Sequence, residues 1–196
     1  MNRIVQIILS CTLAVFTAGC ASTPSHFYTL SATGAPAAGP QAGFSVSVGP
    51  VSVPAAVDRL PIVVRTGPNQ VYISEFDRWA SPLKADIPRV VAGNLASMLG
   101  TAQVTVFPAS SAADASYRVR IDILRFESEP DRAATLDALW TVSAGKGEQT
   151  RRSRTTLAEA TQGPGYGDLV AAHSRALGQL SAEIAAAIRE MEAKVR

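Results

Sequence analysis

Residues 1–19 constrain everything that follows them. Arg3 supplies one positive charge, residues 4–16 are mostly apolar and broken only by Gln6, Ser10 and Thr12, and Thr17, Ala18 and Gly19 stand directly before Cys20. A charged start, a short apolar middle and a small-residue cleavage site make an export signal. The apolar run falls short of the roughly 20 residues that a membrane-spanning helix needs, so it does not read as a permanent span. The chain has two cysteines, and Cys11 leaves with the signal. Cys20 is then the sole thiol of the mature chain, and no internal disulfide is available.

The cysteine at the cut resembles a bacterial lipobox, with Thr17 standing where such boxes usually carry leucine. The other reading is an ordinary secretory signal that leaves Cys20 as a free thiol. A lone thiol in an exported protein calls for an explanation, and lipidation supplies one. Cys20 is therefore expected to be the lipid attachment site, carrying diacylglycerol and an N-acyl group, with no other cofactor. Ala21 rather than aspartate after the cysteine implies, for lipoproteins of this kind, sorting to the outer membrane. The chain divides into a signal peptide at 1–19, a lipidated tether at 20–26 and one domain at 27–196. The stretch from Cys20 to Ser25 reaches only about 20 Å when extended, which keeps the domain close against the membrane surface. A single acyl chain holds reversibly, whereas two or three hold firmly.

A 47% hydrophobic, 17% charged composition belongs to a globular domain. The net charge of +2 includes Arg3, so the mature chain is nearly neutral. Nucleic-acid binders concentrate strong positive charge, and this balance argues against that class.

Phe27, Tyr28, Thr29 and Leu30 form a short strand-like piece, after which residues 31–43, rich in Ala, Gly and Pro and uncharged, read as a loop. Alternation at Phe44, Val46 and Val48 predicts a half-buried strand, bent at Gly49-Pro50 and resumed at Val51 and Val53. Ile62, Val63, Val64 and Arg65 turn through residues 67–69 into Val71, Tyr72 and Ile73, a hairpin with a four- or five-residue loop. Ser81-Pro82 makes an N-cap and first-turn pair. Leu83, Ile87, Val90, Val91, Leu95, Met98 and Leu99 then recur at helical spacing until Gly100 ends the run. Pro88 conflicts with this helix, because an interior proline removes a hydrogen bond and presses on the carbonyl four residues back. Either the helix kinks there or it begins at Asp86; the second is preferred.

Residues 103–107 alternate again, and three longer strands follow. The first, 117–127, sets Tyr117, Val119, Ile121 and Ile123 on one face and Arg118, Arg120 and Asp122 on the other. Turns at Pro130-Asp131 and Gly145-Lys146-Gly147 lead into strands over 133–142 and 149–158, an antiparallel meander with one apolar and one polar face. After Gly163-Pro164-Gly165, a helix over 168–195 carries one apolar stripe from Leu169 to Val195. The expected fold is α/β (α+β): a two-layer sandwich of a mixed, largely antiparallel sheet with two helices packed on one face.

Residues suited to chemistry are sparse. His26 and His173 are the two histidines, and no His/Cys/Asp/Glu cluster has metal-ligand spacing, so no metal site is expected. There is no Gly-x-Ser-x-Gly elbow, and Gly145-Lys146-Gly147 lacks the rest of a phosphate loop. His173 reads as a half-buried histidine of the last helix without a catalytic task. These features point away from an enzyme. Arg151, Arg152 and Arg154, near Lys146, form the one local charge excess: a charged edge strand guarded against aggregation, or a contact for lipid headgroups or an acidic partner. Asp77, Arg78 and Trp79, just before the first helix, serve either as interface anchors or internally, with Trp79 buried and Arg78 paired to Asp77.

The order of these pieces carries a resemblance. A lipobox, then residues 27–30, then Val48-Gly49-Pro50-Val51-Ser52-Val53-Pro54 with Asp58-Arg59, then Ile62-Val63-Val64-Arg65, then Asp77-Arg78-Trp79-Ala80-Ser81-Pro82-Leu83, and finally Ala172-His173-Ser174-Arg175-Ala176-Leu177 together resemble the PqiC-type family of ABC-type transport auxiliary lipoproteins. The resemblance spans essentially the whole mature chain. It implies a lipoprotein without catalysis of its own, on the periplasmic face of the outer membrane. Such a protein serves an ABC transport system of phospholipid or another hydrophobic cargo, docks its periplasm-spanning MCE-domain protein, and forms a homo-oligomeric ring. The alternatives are a stand-alone lipid-binding lipoprotein and an outer-membrane assembly factor.

Overall fold

The computed structural model describes residues 23–38, 42–109, 114–145 and 149–194. The signal peptide and Cys20 lie outside the described residues, as does Lys146.

The spine of the sheet is β6 (Tyr117–Glu129). One of its edges is taken along its whole length by β7 (Ala133–Ala144), antiparallel, and β7 carries β8 (Gln149–Ala160) in the same sense. The other edge is divided between two partners. β2 (Val46–Ser52) runs parallel along the first half of β6, whereas β3 (Pro61–Gly67) meets it parallel at Val64–Ser128. β5 (Val104–Val106) extends the β2 branch in parallel. β4 (Gln70–Trp79) folds back antiparallel on β3, and β1 (His26–Tyr28) lies parallel on the far end of β4. A bulge in β6 between Ile123 and Arg125 switches the inward phase. Tyr117, Val119, Ile121 and Ile123 face the core before it, and Phe126 and Ser128 after it. An inserted residue shifts a strand's period of two by one position and bends the strand.

The two-layer α/β plan therefore holds, but the sheet is not largely antiparallel. β1–β4, β2–β5, β2–β6 and β3–β6 are all parallel, and they outnumber the antiparallel pairings. The meander and the β3–β4 hairpin are the pairings that adjacency in sequence reveals. The parallel ones join segments far apart along the chain, and no turn signal announces them.

Both helices pack on the apolar face. α1 (Leu83–Leu99) lies against β2 and β5, α2 (Tyr166–Ala193) lies against β6, β7 and β8, and the helices pack on each other. The expected stripe of α2 is buried from Leu169 through Ile184 and Ile188 to Met191, while Val195 lies outside the described residues. α1 begins at Leu83, with Pro88 inside it, rather than at Asp86. Pro82 occupies the N-cap position and its carbonyl accepts from the amides of Ala85 and Asp86. Leu83 and Ile87 are fully buried, so tertiary packing holds the first turn in spite of the proline. At the other end Gly100, with φ 64°, closes the helix as its sequence position predicts.

The segment read as a loop after Leu30 is no free loop. It lies as a strap across the helix pair, its backbone amides tied to helix side chains. Leu30 N–H donates to Asp86 Oδ2 (3.1 Å), Ser31 N–H to Ser174 Oγ (3.1 Å), and Thr33 and Gly34 N–H both to Asn94 Oδ1 (2.7 Å each). Ser97 Oγ returns a bond to the Gly34 carbonyl (2.9 Å). Small residues allow the close approach, and a Cβ on Gly34 would stand 2.9 Å from the Asn94 carbonyl oxygen and 3.0 Å from its Cα. Gly34→Ala is expected to cost about 1–2 kcal/mol, since backbone presses on backbone there. An unchanged urea midpoint in that variant would mean that the strap can lift without penalty.

Candidate interaction surfaces

Asp77, Arg78 and Trp79 sit at the end of β4, a strand, and not in a lead-in to the helix. Trp79 is 3% exposed, with its ring 6.3 Å from Phe126 and 6.2 Å from His173, so its indole belongs to the core. Asp77 is not paired with Arg78. Its carboxylate accepts from Tyr28 Oη (3.0 Å) and Ser74 Oγ (2.9 Å) and faces His26 Nδ1 at 3.3 Å. Burial, together with the bond to Asp77, pushes the Tyr28 phenol up to about 12, which keeps it a donor. These contacts clamp β1 onto β4. The Nε of Arg78 is buried without a hydrogen-bond partner.

The basic group on β8 is divided by the strand's own period. The register puts Arg151 opposite Val142, on the helix side of the sheet, and Arg152 and Arg154 opposite Thr141 and Leu139, on the outer face. Arg154 forks onto Asp137, Nε to Oδ1 at 2.9 Å and Nη2 to Oδ2 at 2.6 Å. That fork holds the Asp137 carboxyl below its usual range. β8 pairs with β7 alone among the described strands, and its exposed side chains are the charged edge that discourages strand addition. The three arginines are thus brought to three different settings rather than to one patch.

Two features escaped the sequence reading. His173 is fully buried, not half-buried: Nε2 lies 2.8 Å from Ser128 Oγ, Phe126 stacks on its ring at 4.0 Å, and Nδ1 has no partner. The second is the β3–β4 hairpin. Gly67 pairs with Gln70, so the loop is a tight two-residue turn rather than four or five residues. Past it, Val71, Tyr72 and Ile73 are 54%, 50% and 42% exposed, with Phe76 also exposed. Consecutive strand residues point to opposite faces, so both faces of the ribbon stand open to solvent there. β1 covers the outer edge of β4 only at residues 77–79, and residues 70–76 keep that edge free among the described strands. Apolar residues spaced as a strand carry no mark of which face the fold will cover, and this is why sequence alone missed them.

A curled mixed sheet backed by two helices, with apolar and charged side chains on open surfaces, makes this a two-layer α/β domain. The chain belongs to the family of the ABC-type transport auxiliary lipoprotein component, whose family model it matches over residues 28–185. A crystal structure of an uncharacterised protein is 25% identical with a TM-score of 0.70, and 85% of this chain and 99% of that one are covered. A Xanthomonas campestris protein, also solved crystallographically, is 22% identical with a TM-score of 0.65, and 81% and 92% of the two chains are covered. None of the curated proteins matches by sequence. No described helix is long and apolar enough to cross a membrane.

Proposed function

We propose that this protein is a non-catalytic accessory lipoprotein, anchored through acylated Cys20 to the periplasmic face of the outer membrane. There it receives the MCE-domain protein of an ABC lipid-transport system and forms a homo-oligomeric ring. The family match over residues 28–185 supports the accessory role. The observation that carries the docking surface is the exposed apolar tip of the β3–β4 hairpin, with its free strand edge. Such an edge accepts an added strand, main-chain bonds giving affinity and the flanking side chains specificity. Asp77 and Arg78 lie at the foot of the same strand, next to β1, where the tether enters. Arg152, outward on β8, and Arg151, on the helix side of the same strand, are secondary contacts, and Arg154 serves internally. The short tether holds this surface at a fixed height above the bilayer.

The test is site-specific photo-crosslinking in cells from position 72, with position 151 as a comparison. Crosslinks from 72 to the MCE-domain protein, lost in Ile73→Ser, are the expected result. A crosslink from 72 to an outer-membrane barrel instead would favour the assembly-factor alternative, and phospholipid retained by the protein purified alone would favour the carrier. The anchor has its own check. Cys20→Ser is expected to leave an unprocessed precursor that takes up no labelled fatty acid, whereas normal processing would point to a plain secretory signal.

A further inference from the structure

The outer face of the sheet carries cross-strand rows set by register: Arg120–Thr141–Arg152, then Asp122–Leu139–Arg154, then Arg125–Asp137–Thr156. Toward the last row the arginines are matched with carboxylates. Arg154 forks on Asp137, while Arg125 and Arg65 each reach Glu127 at 2.6 Å. At the other end two of them, Arg120 and Arg152, are not. Arg120 and Arg152 flank Thr141 with no ion-pair partner among the described residues, and Arg118 stands in the adjoining row, its guanidinium donating to the Gly145 carbonyl. These three arginines, Thr141, Ser143 and the Gly49-Pro50 bend of β2 line an open groove of about 410 Å³, with no carboxylate among the described residues of its walls.

Strand spacing puts the stems of Arg120 and Arg152 about 10 Å apart, with Arg118 about 7 Å along from Arg120, within joint reach of one small anion. Like charges so placed repel, and a counter-charge in the groove offsets that cost. A carboxylate offers two oxygens in one plane, which a single guanidinium fork occupies. A phosphate group offers more oxygens, arranged in three dimensions, and matches several guanidinium donors together with hydroxyls. We propose that this groove binds a phosphate-class anion, inorganic phosphate or the phosphodiester of a lipid headgroup, through Arg118, Arg120 and Arg152 with Thr141 and Ser143. The site shares no residue with the hairpin docking surface, although Arg152 is also one of the secondary contacts proposed above. It lies at the opposite end of β6 from Ser128, where β3 joins, about 25 Å along the strand.

The test is calorimetric titration of the full-length lipidated protein in uncharged detergent. The probes are inorganic phosphate, phosphatidylglycerol doped into the micelles, diacylglycerol as a phosphate-free lipid, and acetate. Saturable binding of phosphate or phosphatidylglycerol is expected, weakening as salt rises and falling at least tenfold in the Arg120→Gln/Arg152→Gln double variant. Partial recovery in Arg120→Lys/Arg152→Lys is also expected. Binding of phosphate alone assigns the free ion, binding of the lipid alone assigns the headgroup, and binding of both assigns the shared group. The double variant should melt no lower than the parent, because repulsion is removed. Acetate or diacylglycerol binding as well as the phosphate probes, no saturable binding of either phosphate probe, or unchanged affinity in the double variant would overturn the assignment.

Discussion

Between pH 6.5 and pH 4.5 the folded protein is expected to lose about 2 kcal/mol more stability than the His173→Gln variant. The cause is the setting of His173. Its ring is fully buried, stacked on Phe126 and edge-on to Trp79, with one nitrogen bound to Ser128 and the other unpartnered. Burial disfavours the imidazolium and pushes the pKa down from 6.5 to about 3. The unfolded chain takes up this proton as pH falls through about 6.5, and the folded chain does not until about 3. The stability is therefore complete above pH 6.5 and declines below it by about 1.4 kcal/mol per pH unit. Glu127 and Asp137, whose carboxyls are held low by Arg125 and Arg154, also lose stability as pH falls through the ordinary carboxylate range, and they do so in both proteins. The difference between the two proteins thus isolates the histidine. His26, exposed on β1, is present in both proteins and cancels. Glutamine keeps a partner for Ser128 and does not titrate. Urea melts at several pH values read the slope, and equal slopes in the two proteins would refute the assignment.

Asn94→Ala is expected to destabilise the protein by about 3 kcal/mol, or about 6–12 °C in Tm. Asn94 is fully buried on α1, and its one carbonyl oxygen accepts two strap amides, from Thr33 and Gly34, while its amide donates to Ser181 on α2 at 3.2 Å. Truncation leaves those donors unmatched between packed elements, where each costs about 1–3 kcal/mol less whatever water recovers. The strap, α1 and α2 meet at this side chain, so the loss is spread over three elements. Hydrogen exchange gives the specific readout: the amides of Thr33 and Gly34 should lose protection first. If they keep it while the melting temperature falls, Asn94 acts through packing and not through these bonds.

Much of the element list was legible because its signals are local. The inward positions of β6 up to Ile123, the stripe of α2 and the closing Gly100 all follow from spacing within a dozen residues. The misreadings share another origin. Pro88 was weighed as a helix breaker because its cost is local, while the burial of Leu83 and Ile87 that holds the preceding turn is not. Arg151, Arg152 and Arg154 looked like one patch because they are close in sequence, yet strand alternation and a single buried carboxylate, Asp137, send them to separate tasks. The groove arginines Arg118 and Arg120 were placed on the polar face correctly, but nothing nearby in sequence announces Arg152 as their neighbour.

By itself, then, the sequence determined where most chain segments become strands or helices, since that depends on residue types over short windows. Tertiary structure alone decided that parallel partners outnumber antiparallel ones, that Trp79 turns inward, that an Ala/Gly/Pro segment becomes a strap, and that Val71, Tyr72 and Ile73 stay exposed. Those outcomes depend on which distant surfaces bury each other, and periodicity within a segment says which residues share a face but not what will cover it.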